Sequence, residues 1–412
     1  MTPDWRQRPA LVAAVAAAAG VLVTLLVVAV VWPDPSADPT SAGTGAEGPL
    51  SDGPSVPPPP TQTDLLGSSG SPSSDDTSGK DGHADESDPD DSGDQPDDAP
   101  PLIDAAPAGH GQLPDSSSVT CPTATTTVTD ASGLEGALAD AQPGDTIRLD
   151  DGTYSGNFGT TVSGTADRPI FLCGTADAVI DGGDVEGDYA FYLDGAKYWR
   201  LVGFTVRGGQ KGIVADGTVG SVIQGLTVSG TGDEAIHLRS DSTDNVVLDN
   251  TISDTGNRND KYGEGVYVGS AVSNWCTYTD CQADRSDRNV VKGNTISDTS
   301  SESVDIKEGT TGGLVVDNTF DGAGMTGADS WVDVKGNNYL IQGNTGTNAE
   351  KNGMQTHQIL PGWGDFNVFS GNHLDVGSSD YAIASWPEES NVVTCDNTFA
   401  NAAEGLSNIE CT

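Results

Sequence analysis

The chain has 412 residues and a formal net charge of −43, because 61 Asp and Glu residues outnumber 18 Lys and Arg residues. This balance excludes a general affinity for nucleic acid or acidic lipid. An acidic polymer is expected to bind only where cations cluster locally or where a divalent metal ion bridges the two surfaces.

Residues 9–32 form an apolar stretch without a charged side chain, preceded by Arg6 and Arg8. The stretch is long enough to span a bilayer, and the basic flank is expected to stay inside. We therefore predict a cytoplasmic N-terminus at residues 1–8 and a single transmembrane anchor, or a long signal sequence, at 9–32. The remainder is predicted to be extracellular, or secreted if the segment is cleaved, and this helix is the only expected contact with the membrane.

Residues 33–120 are rich in Pro, Ser, Gly and Asp and include PPPP at 57–60. Such a composition buries too little apolar surface to offset chain entropy, and its like charges repel one another. We predict a disordered linker here and a folded domain at residues 121–412.

The folded domain contains a repeated pattern of an apolar run followed by Asn. The Asn residues are separated by 24 to 44 positions and are Asn250, Asn294, Asn318, Asn344, Asn372 and Asn397. A repeat of this length with short strands and no helical period indicates a solenoid of the parallel β-helix type. We interpret the Asn residues as an internal ladder in which each amide bonds to the next coil, about 4.8 Å away.

A second strand recurs between these motifs. Its central apolar residues are Ile213, Ile236, Val266, Val304, Val332, Met354 and Ile383. Alternation places every second residue on the inside of the coil and the others on the outside. The prediction is an all-β solenoid, expected to be a monomer.

The domain is predicted to begin with a capping helix that contains Leu134, Leu138 and Ala141, with Ser132 and Glu135 as a capping box. Six cysteines on the exported side favour disulfides over metal sites. Closeness in sequence suggests that Cys276 pairs with Cys281. Pairing Cys121 with Cys173 and Cys395 with Cys411 at the two ends completes the assignment.

The outward-facing residues of the aligned strand are the candidates for chemistry. One column contains Arg239, Lys307, Lys335, His357 and Trp386, a second contains His237, Tyr267, Asp305 and Asp333, and Glu234, Glu264 and Glu302 stand near the strand start. The column concentrates cations in an acidic protein. Lys307 beside Lys335 is expected to have a lowered pKa, which suits proton abstraction. The alternative is a solvated stripe in which lysines and aspartates pair diagonally.

The coil from Val266 to Val304 has 38 residues against 22 between Val332 and Met354, and its surplus carries NWCTYTDCQADRSDR. Insertions in repeat proteins usually lie on one face and frame a groove. This loop is either a wall of a substrate cleft or a tolerated surface insertion.

The segments PGDTIRLDDGTY, RPIFLCG, ESVDIKEG and DVKGNNYLIQGN resemble the polysaccharide lyases of the alginate lyase and chondroitinase B type, within the pectate lyase-like superfamily of right-handed parallel β-helices. The resemblance spans roughly residues 125–400. It implies that Lys307 is the base and that Glu302 is a calcium ligand. Lys335 stands where the family has an arginine that assists the leaving oxygen, and Ser300 stands where a second acidic ligand is expected.

These observations lead to specific role assignments. Lys307 and Lys335 are the predicted catalytic residues, and Glu302, Asp305, Asp333 and Glu264 are the predicted Ca²⁺ ligands. The predicted substrate-binding residues, expected to contact an acidic polysaccharide, are Arg239, His357, His237 and Tyr267.

Three functions are compatible with this pattern. The first is an extracellular lyase that cleaves a uronate-containing polymer by β-elimination. The second is a non-catalytic adhesin or glycan-binding scaffold, and the third is a hydrolase or epimerase that uses Asp305 and Asp333. The polymer is not specified by the sequence.

Overall fold

The computed structural model describes residues 112–388 and 390–412. The predicted anchor at 9–32 and most of the predicted linker lie outside these residues. None of the helices in the described part combines the length and the apolar character needed to cross a membrane.

The described chain winds into a right-handed parallel β-helix in which each coil contributes strands to three sheets, as the repeats predict. Within each sheet all pairings are parallel. Sheet 1 contains β1 (Thr126–Val128), β2 (Thr146–Leu149), β5 (Ile170–Cys173), β8 (Trp199–Val202), β11 (Val222–Gln224), β14 (Val246–Leu248), β17 (Val290–Lys292), β20 (Leu314–Val316), β23 (Leu340–Gln342), β26 (Val368–Ser370) and β29 (Val392–Val393).

Sheet 2 contains β4 (Phe158–Thr160), β7 (Phe191–Asp194), β10 (Ile213–Asp216), β13 (Ile236–Arg239), β16 (Val266–Val268), β19 (Val304–Ile306), β22 (Val332–Val334), β25 (Met354–Thr356), β28 (Tyr381–Ser385) and β31 (Gly405–Ser407). Sheet 3 contains β3 (Gly152–Ser155), β6 (Ala178–Asp181), β9 (Thr205–Arg207), β12 (Thr227–Ser229), β15 (Thr251–Ser253), β18 (Thr295–Ser297), β21 (Thr319–Asp321), β24 (Thr345–Thr347), β27 (His373–Ser378) and β30 (Thr398–Ala402).

A helix, α1 (Ala131–Asp140), precedes β2 and contacts one strand of each sheet. Its Leu134 and Leu138 are buried in the core. The predicted capping box is wrong, because the N-cap is Asp130, whose carboxylate accepts hydrogen bonds from the Gly133 N–H and the Ser132 hydroxyl. Asp130 is itself a favoured N-cap residue, so the helix begins two residues earlier than the predicted capping box implies.

The structure confirms the predicted Asn ladder, which runs along the corner where each coil passes from its sheet 1 strand to its sheet 3 strand. Asn318 Oδ1 accepts hydrogen bonds from Asn294 N and Asn294 Nδ2, both at 2.9 Å, and Asn318 Nδ2 donates to Asn344 Oδ1 at 3.0 Å. The same bonds join Asn250, Asn344, Asn372 and Asn397 into one buried ladder. Shorter ladders at Asn245–Asn289 and Asn367–Asn391 were not predicted.

All three predicted disulfides are present: Cys121–Cys173, Cys276–Cys281 and Cys395–Cys411. They leave the described residues without a free cysteine.

The chain contacts the β-helix before the predicted linker boundary at residue 120. Val119 exchanges hydrogen bonds of 2.7 Å and 3.0 Å with the Gln224 side chain. Leu113 and Val119 pack on an apolar patch on the outside of sheet 1, formed by Val222, Val246, Leu248 and Val290. Two apolar residues in a polar segment are enough to hold it against such a patch, because the patch would otherwise face water.

One further α-helical segment, α2 (Trp275–Tyr278), lies in the long insertion between β16 and β17. Single 3₁₀ turns occur at Asp260–Tyr262 and Val272–Asn274.

Candidate active site

The predicted columns lie on the outer face of sheet 2, in the predicted register. Ile236, Val266, Val304, Val332 and Met354 pair in sequence along the sheet and point into the core. The outward residues form one row in the order Val214, His237, Tyr267, Asp305, Asp333, Gln355 and Ala384. The parallel pairing therefore places like residues on adjacent coils, about 4.8 Å apart.

Asp305 and Asp333 of this row form an alternating chain of ion pairs with Lys307, Lys335 and His357. Lys307 Nζ lies 2.7 Å from Asp305 Oδ2, and Lys335 Nζ lies 2.8 Å from both Asp305 Oδ1 and Asp333 Oδ2. His357 Nδ1 then lies 3.1 Å from Asp333 Oδ2. The chain crosses three coils and brings every lysine beside a carboxylate, which removes the like-charge repulsion of the aligned columns.

The centre of this ion-pair chain is buried, in contrast to the solvated stripe that was the alternative. Asp305 is 1% exposed, Asp333 3% and Lys335 7%. Burying ions costs solvation free energy, and replacing such a network by apolar side chains is often neutral or stabilising. Stability alone therefore does not account for it.

The expected lowering of the lysine pKa is wrong for the free protein. Burial disfavours the charged form of Lys307, but Asp305, Glu302 and Glu264 outweigh burial and raise its pKa above the usual value. Lys335 has a raised pKa for the same reason, with Asp305 and Asp333 as the main opposing charges. The sequence prediction counted the neighbouring cations and omitted the carboxylates that reach between them.

A cluster of three carboxylates adjoins Lys307. Glu264, Glu302 and Asp305 each offer an oxygen, and these oxygens lie within 4.8 Å of one another. Glu264 Oε2 is buried without a hydrogen-bond partner in the described part of the chain. Burial, with Glu234, Glu302 and Asp305 nearby, raises the pKa of Glu264 well above its usual value. An unpartnered buried carboxylate in a group of three is the arrangement that a bound cation would satisfy.

The chemistry of this donor set fits a hard cation such as Ca²⁺, which prefers carboxylate oxygens. The set holds no thiolate, thioether or imidazole, which are the ligands of a soft copper site. Of the four predicted ligands, Glu264, Glu302 and Asp305 come together, whereas Asp333 stands outside this group of three. The prediction of Asp333 as a ligand is therefore not supported by the geometry.

Tyr267 and His237 lie on the two coils that precede the coil of Lys307. The Tyr267 ring centroid is 5.1 Å from Lys307 Nζ and 4.3 Å from the His237 ring, which it meets edge-on. Burial, reinforced by Asp305, raises the pKa of Tyr267 well above its usual value, so the phenol stays protonated. Burial lowers the pKa of His237, whose Nε2 lies 2.9 Å from the Gly269 carbonyl oxygen.

A cleft of about 240 Å³ opens beside Tyr267 and Glu264. Its remaining walls include Tyr189, Lys211, Arg258 and Tyr262, which the sequence analysis did not single out, and Tyr278 of the insertion that was one of two candidates for a cleft wall. Lys211 contacts Glu234, and Arg258 Nη2 pairs with Asp233. Tyr189, Lys211, Arg258 and Tyr262 come from turns that precede the sheet 2 strands, where coil lengths vary and the repeat carries no signal. Their one common feature in the sequence is that each lies within a few residues of an aligned strand.

Arg239 lies behind this cleft. Its side chain is 3% exposed, Nε lies 2.7 Å from Asp216 Oδ1, and Nη2 donates to Tyr189 Oη at 3.1 Å. The guanidinium carbon lies 4.1 Å from the centroid of the Tyr278 ring. In the free protein Arg239 thus orients two tyrosines of the cleft wall.

At the opposite end, the side chains of the column reach solvent. The His357 side chain is 37% exposed and Trp386 is 43% exposed. The Cys276–Cys281 insertion stands beside the coil of Lys307, because Arg285 Nη1 donates to the Gly309 carbonyl and Val272 N–H donates to Glu308. The insertion therefore borders the strand ends of sheet 2.

Comparison with known proteins gives a solved structure that resembles the described chain closely. The crystal structure of alginate lyase from Paenibacillus sp. str. FPU-7 has 33% sequence identity and a TM-score of 0.65, and covers 70% of this chain and 100% of that chain. Pectate lyase Pel9A has 14% identity and a TM-score of 0.42, covering 65% and 72%. A mannuronic acid specific family 6 lyase from human gut microbiota has 14% identity and a TM-score of 0.45, covering 69% and 67%.

Family-level comparison matches residues 144–331 to NosD, described as a periplasmic copper-binding protein. This match covers less than half of the chain and ends before Val332. No curated protein matches the sequence.

Proposed function

The chain belongs to the family of right-handed parallel β-helix proteins that includes the Paenibacillus alginate lyase, and on this premise we propose that it is a polysaccharide lyase. The proposed substrate is a uronate-containing polymer, and the proposed reaction is β-elimination. The observation that carries the proposal is the buried ion-pair chain around Lys307, directly beside the carboxylate cluster and the cleft.

The location of this ion-pair chain supports a role in binding or chemistry. Elsewhere the outer strands of the solenoid present Thr, Ser or single charges, for example the exposed Thr251, Thr295, Thr319 and Thr345 of sheet 3. On sheet 2, two lysines and two aspartates form one ion-pair chain in which Asp305, Asp333 and Lys335 are buried and Lys307 is half-buried. Such a costly arrangement is typical of sites where charge must be held in place before a substrate arrives.

In β-elimination the C5–H bond and the bond from C4 to the leaving oxygen break, and a C4–C5 double bond forms. A base takes the C5 proton, and an acid protonates the leaving oxygen. Lys307 is the proposed base because it stands at the junction of the column, the cluster and Tyr267. The protonated Tyr267 phenol lines the cleft, so it is placed to donate a proton to the leaving oxygen.

In this proposal Lys335 is a positioning residue, whereas the sequence analysis predicted it to be catalytic. It bridges Asp305 and Asp333 and is more buried than Lys307, with side-chain exposures of 9% and 15%. It therefore positions Asp305, which in turn holds the Lys307 ammonium.

Glu264, Glu302 and Asp305 are the residues that would hold a divalent cation. Bound there, the cation would neutralise the substrate carboxylate next to C5 and, by drawing charge from the carboxylates around Lys307, lower the pKa of that lysine. The protein's own residues bind and orient the polymer. Lys307 Nζ accepts the C5 proton, and Tyr267 Oη donates a proton to the leaving oxygen.

A non-catalytic glycan-binding scaffold is the second candidate, and the paired state of both lysines favours it. A binder needs charged lysines, whereas a base must become neutral, and the free protein keeps Lys307 charged. The hydrolase reading is weaker, because the Lys335 ammonium lies between Asp305 and Asp333 and engages both carboxylates.

We place the enzyme outside the cell, tethered by the predicted segment 9–32 or released from it. Three disulfides support an oxidising compartment, since such bonds are rare in the reducing cytosol.

The test is ultraviolet absorbance of the unsaturated uronate that β-elimination leaves, with the full-length chain and a panel of alginate, pectate, glycosaminoglycans and bacterial uronates. Lys307→Met should lower kcat by at least about 100-fold, the usual size of a general-base contribution. The matched control is Lys292→Met, which removes an equal charge from sheet 1. Saturable binding without cleavage of any polymer would overturn the lyase proposal in favour of the scaffold.

A further inference from the structure

Arg285 differs from the other cations around the site because its guanidinium forms no ion pair with a carboxylate among the described residues. Lys211, Arg239, Arg258, Lys307 and Lys335 each lie within ion-pair distance of an acidic side chain. The exposed Arg285 side chain, by contrast, forms no ion pair with any described residue. Its guanidinium carbon lies 5.3 Å from the centroid of the Trp363 ring, and Nη1 donates to the Gly309 carbonyl oxygen at 3.4 Å.

The Arg285–Trp363 pair lies at the edge of sheet 2 that carries the ion-pair chain. Gly309 follows Lys307 by two residues, so the guanidinium is bound to backbone within about 7 Å of the Lys307 Cα. Trp363 precedes Gly364, whose backbone passes so close to His357 that a Cβ there would lie 2.5 Å from the His357 carbonyl oxygen. The pair therefore adjoins both Lys307 and His357.

The backbone that presents Arg285 is held firmly. Asp284 is fully buried, and its carboxylate accepts hydrogen bonds from Ser240 N, Asp241 N, Ser270 Oγ and Ser286 Oγ at 2.7 to 2.9 Å. The Arg285 N–H donates to Asp241 Oδ1 at 2.8 Å. A rigid backbone under an exposed side chain reduces the entropy lost when that side chain binds a ligand.

From these contacts we propose that Arg285 and Trp363 form a substrate subsite for a second uronate, next to the sugar that reacts at Lys307. The Trp363 ring receives the apolar face of the sugar, and the guanidinium binds its carboxylate through two parallel hydrogen bonds. This inference rests on the proposed function, because it places the subsite beside the reacting sugar.

The charge of the protein explains why this single arginine matters. With a net charge of −43, the chain repels a polyanion at long range. At the other cations, a substrate carboxylate must compete with a protein carboxylate that is already bound. Arg285 binds a carboxylate without such competition, so it is the residue that distinguishes a uronate from a neutral sugar at this position.

The experiment uses the full-length chain and compares binding of an oligouronate with binding of its carboxyl-methyl ester by calorimetry. The Lys307→Met background prevents cleavage, and a chelator removes any cation from the carboxylate cluster, which would otherwise bind a substrate carboxylate as well. We expect the acid to bind about 10- to 100-fold more tightly than the ester, the usual effect of a charge-assisted hydrogen bond. Arg285→Gln should abolish this preference. Lys292→Gln, which removes an equal charge from sheet 1, should retain it.

Trp363→Ala should weaken binding of acid and ester alike, because ring stacking does not depend on the carboxylate. A preference for the acid that survives Arg285→Gln would overturn the proposal, as would a failure of the Lys307→Met protein to bind either ligand. If the wild type cleaves no polymer but shows an Arg285-dependent preference for the acid, the lyase function fails while the uronate subsite stands.

Discussion

The Lys335 ammonium lies 2.8 Å from Asp305 Oδ1, the carboxylate of the preceding coil, and Asp305 in turn holds Lys307. Asp305→Asn should therefore leave two buried lysines with less compensating charge. Removing one partner from a buried ion pair typically costs about 3–5 kcal/mol of unfolding free energy. Urea denaturation at neutral pH measures this cost.

The control for Asp305→Asn is Arg207→Gln, which breaks an ion pair of the same 2.8 Å length on sheet 3, where the arginine side chain is 51% exposed. Exposed pairs contribute about 0–1 kcal/mol. Equal losses of unfolding free energy in the two variants would mean that the ion pairs around Lys335 are solvated and not buried.

The Asn ladder makes a separate prediction. In Asn318→Ala, the Asn294 N–H loses its acceptor and Val291 O loses the Asn318 side-chain donor. Asn294 Nδ2 and Asn344 Oδ1 each lose one of their two hydrogen bonds and keep those to Val247 O and the residue 318 N–H. Each buried polar group left unpaired costs about 1–3 kcal/mol, so a loss of at least about 3 kcal/mol is expected on urea denaturation.

The adjacent Thr319→Ala is the comparison, because Thr319 is exposed and its substitution should change the unfolding free energy by no more than about 0.5 kcal/mol. A small effect at Asn318 would show that water enters the ladder and replaces the lost bonds.

The ladder and the strand register were predictable because both repeat. A fixed Asn and an alternating apolar pattern on successive coils leave one register that buries every apolar residue, and the structure adopts it. The site was only partly predictable. Sequence alignment places Lys307 beside Lys335, but it does not show that Asp305 reaches diagonally to both ammonium groups.

Residues contributed by irregular turns escaped prediction for a related reason. Tyr189 and Arg258 line the cleft, and Arg285 reaches Gly309, from segments whose length differs from coil to coil. Their positions depend on local contacts such as the buried Asp284 carboxylate, and no periodic signal marks these contacts in the sequence.

Glycine at position 346 is required by the packing of Trp331. A Cβ on Gly346 would lie 2.4 Å from Trp331 Cζ3, and Trp331 is fully buried. Gly346→Ala should therefore destabilise the protein by about 1–3 kcal/mol, the usual cost of overpacking. A lower melting temperature in calorimetry would report this.

Gly136→Ala is the opposite case, because Gly136 lies in α1 with nothing within 4 Å of the added Cβ. Alanine favours the helix by about 1 kcal/mol, so this variant should melt at a higher temperature. The prediction for Gly346 fails if Gly346→Ala melts at or above the wild-type temperature.

The His357–Asp333 pair should make stability depend on pH. Asp333 raises the pKa of His357 above its usual value, and burial only partly opposes this. A raised folded-state pKa stabilises the protein below the unfolded value of about 6.5, and this contribution is lost as pH rises through the folded pKa. The stability difference between wild type and His357→Gln should therefore shrink as pH rises above about 6.5.

Unfolding free energies at a series of pH values test this, with the same comparison repeated in an Asp333→Asn background. The pH-dependent part should largely disappear without the Asp333 charge. If it persists unchanged, another group is responsible for the raised pKa of His357.

The carboxylate cluster predicts opposite effects of one substitution with and without a divalent cation. Burial and neighbouring carboxylates raise the pKa of Glu264, so its ionisation destabilises the metal-free fold increasingly as pH rises above the unfolded value of about 4.3. Glu264→Gln should thus raise the melting temperature of chelator-treated protein at neutral pH. In calcium the same variant should lose the stabilisation that the wild type gains on binding the ion.

The matched control is Glu308→Gln, which also alters a buried glutamate but one that accepts the Val272 N–H and stands outside the cluster. This variant should keep the calcium-dependent rise in melting temperature. The two glutamates are both buried. If the calcium-dependent rise in melting temperature survives Glu264→Gln but not Glu308→Gln, the cation binds away from Lys307. The lysines themselves would then have to neutralise the substrate carboxylate.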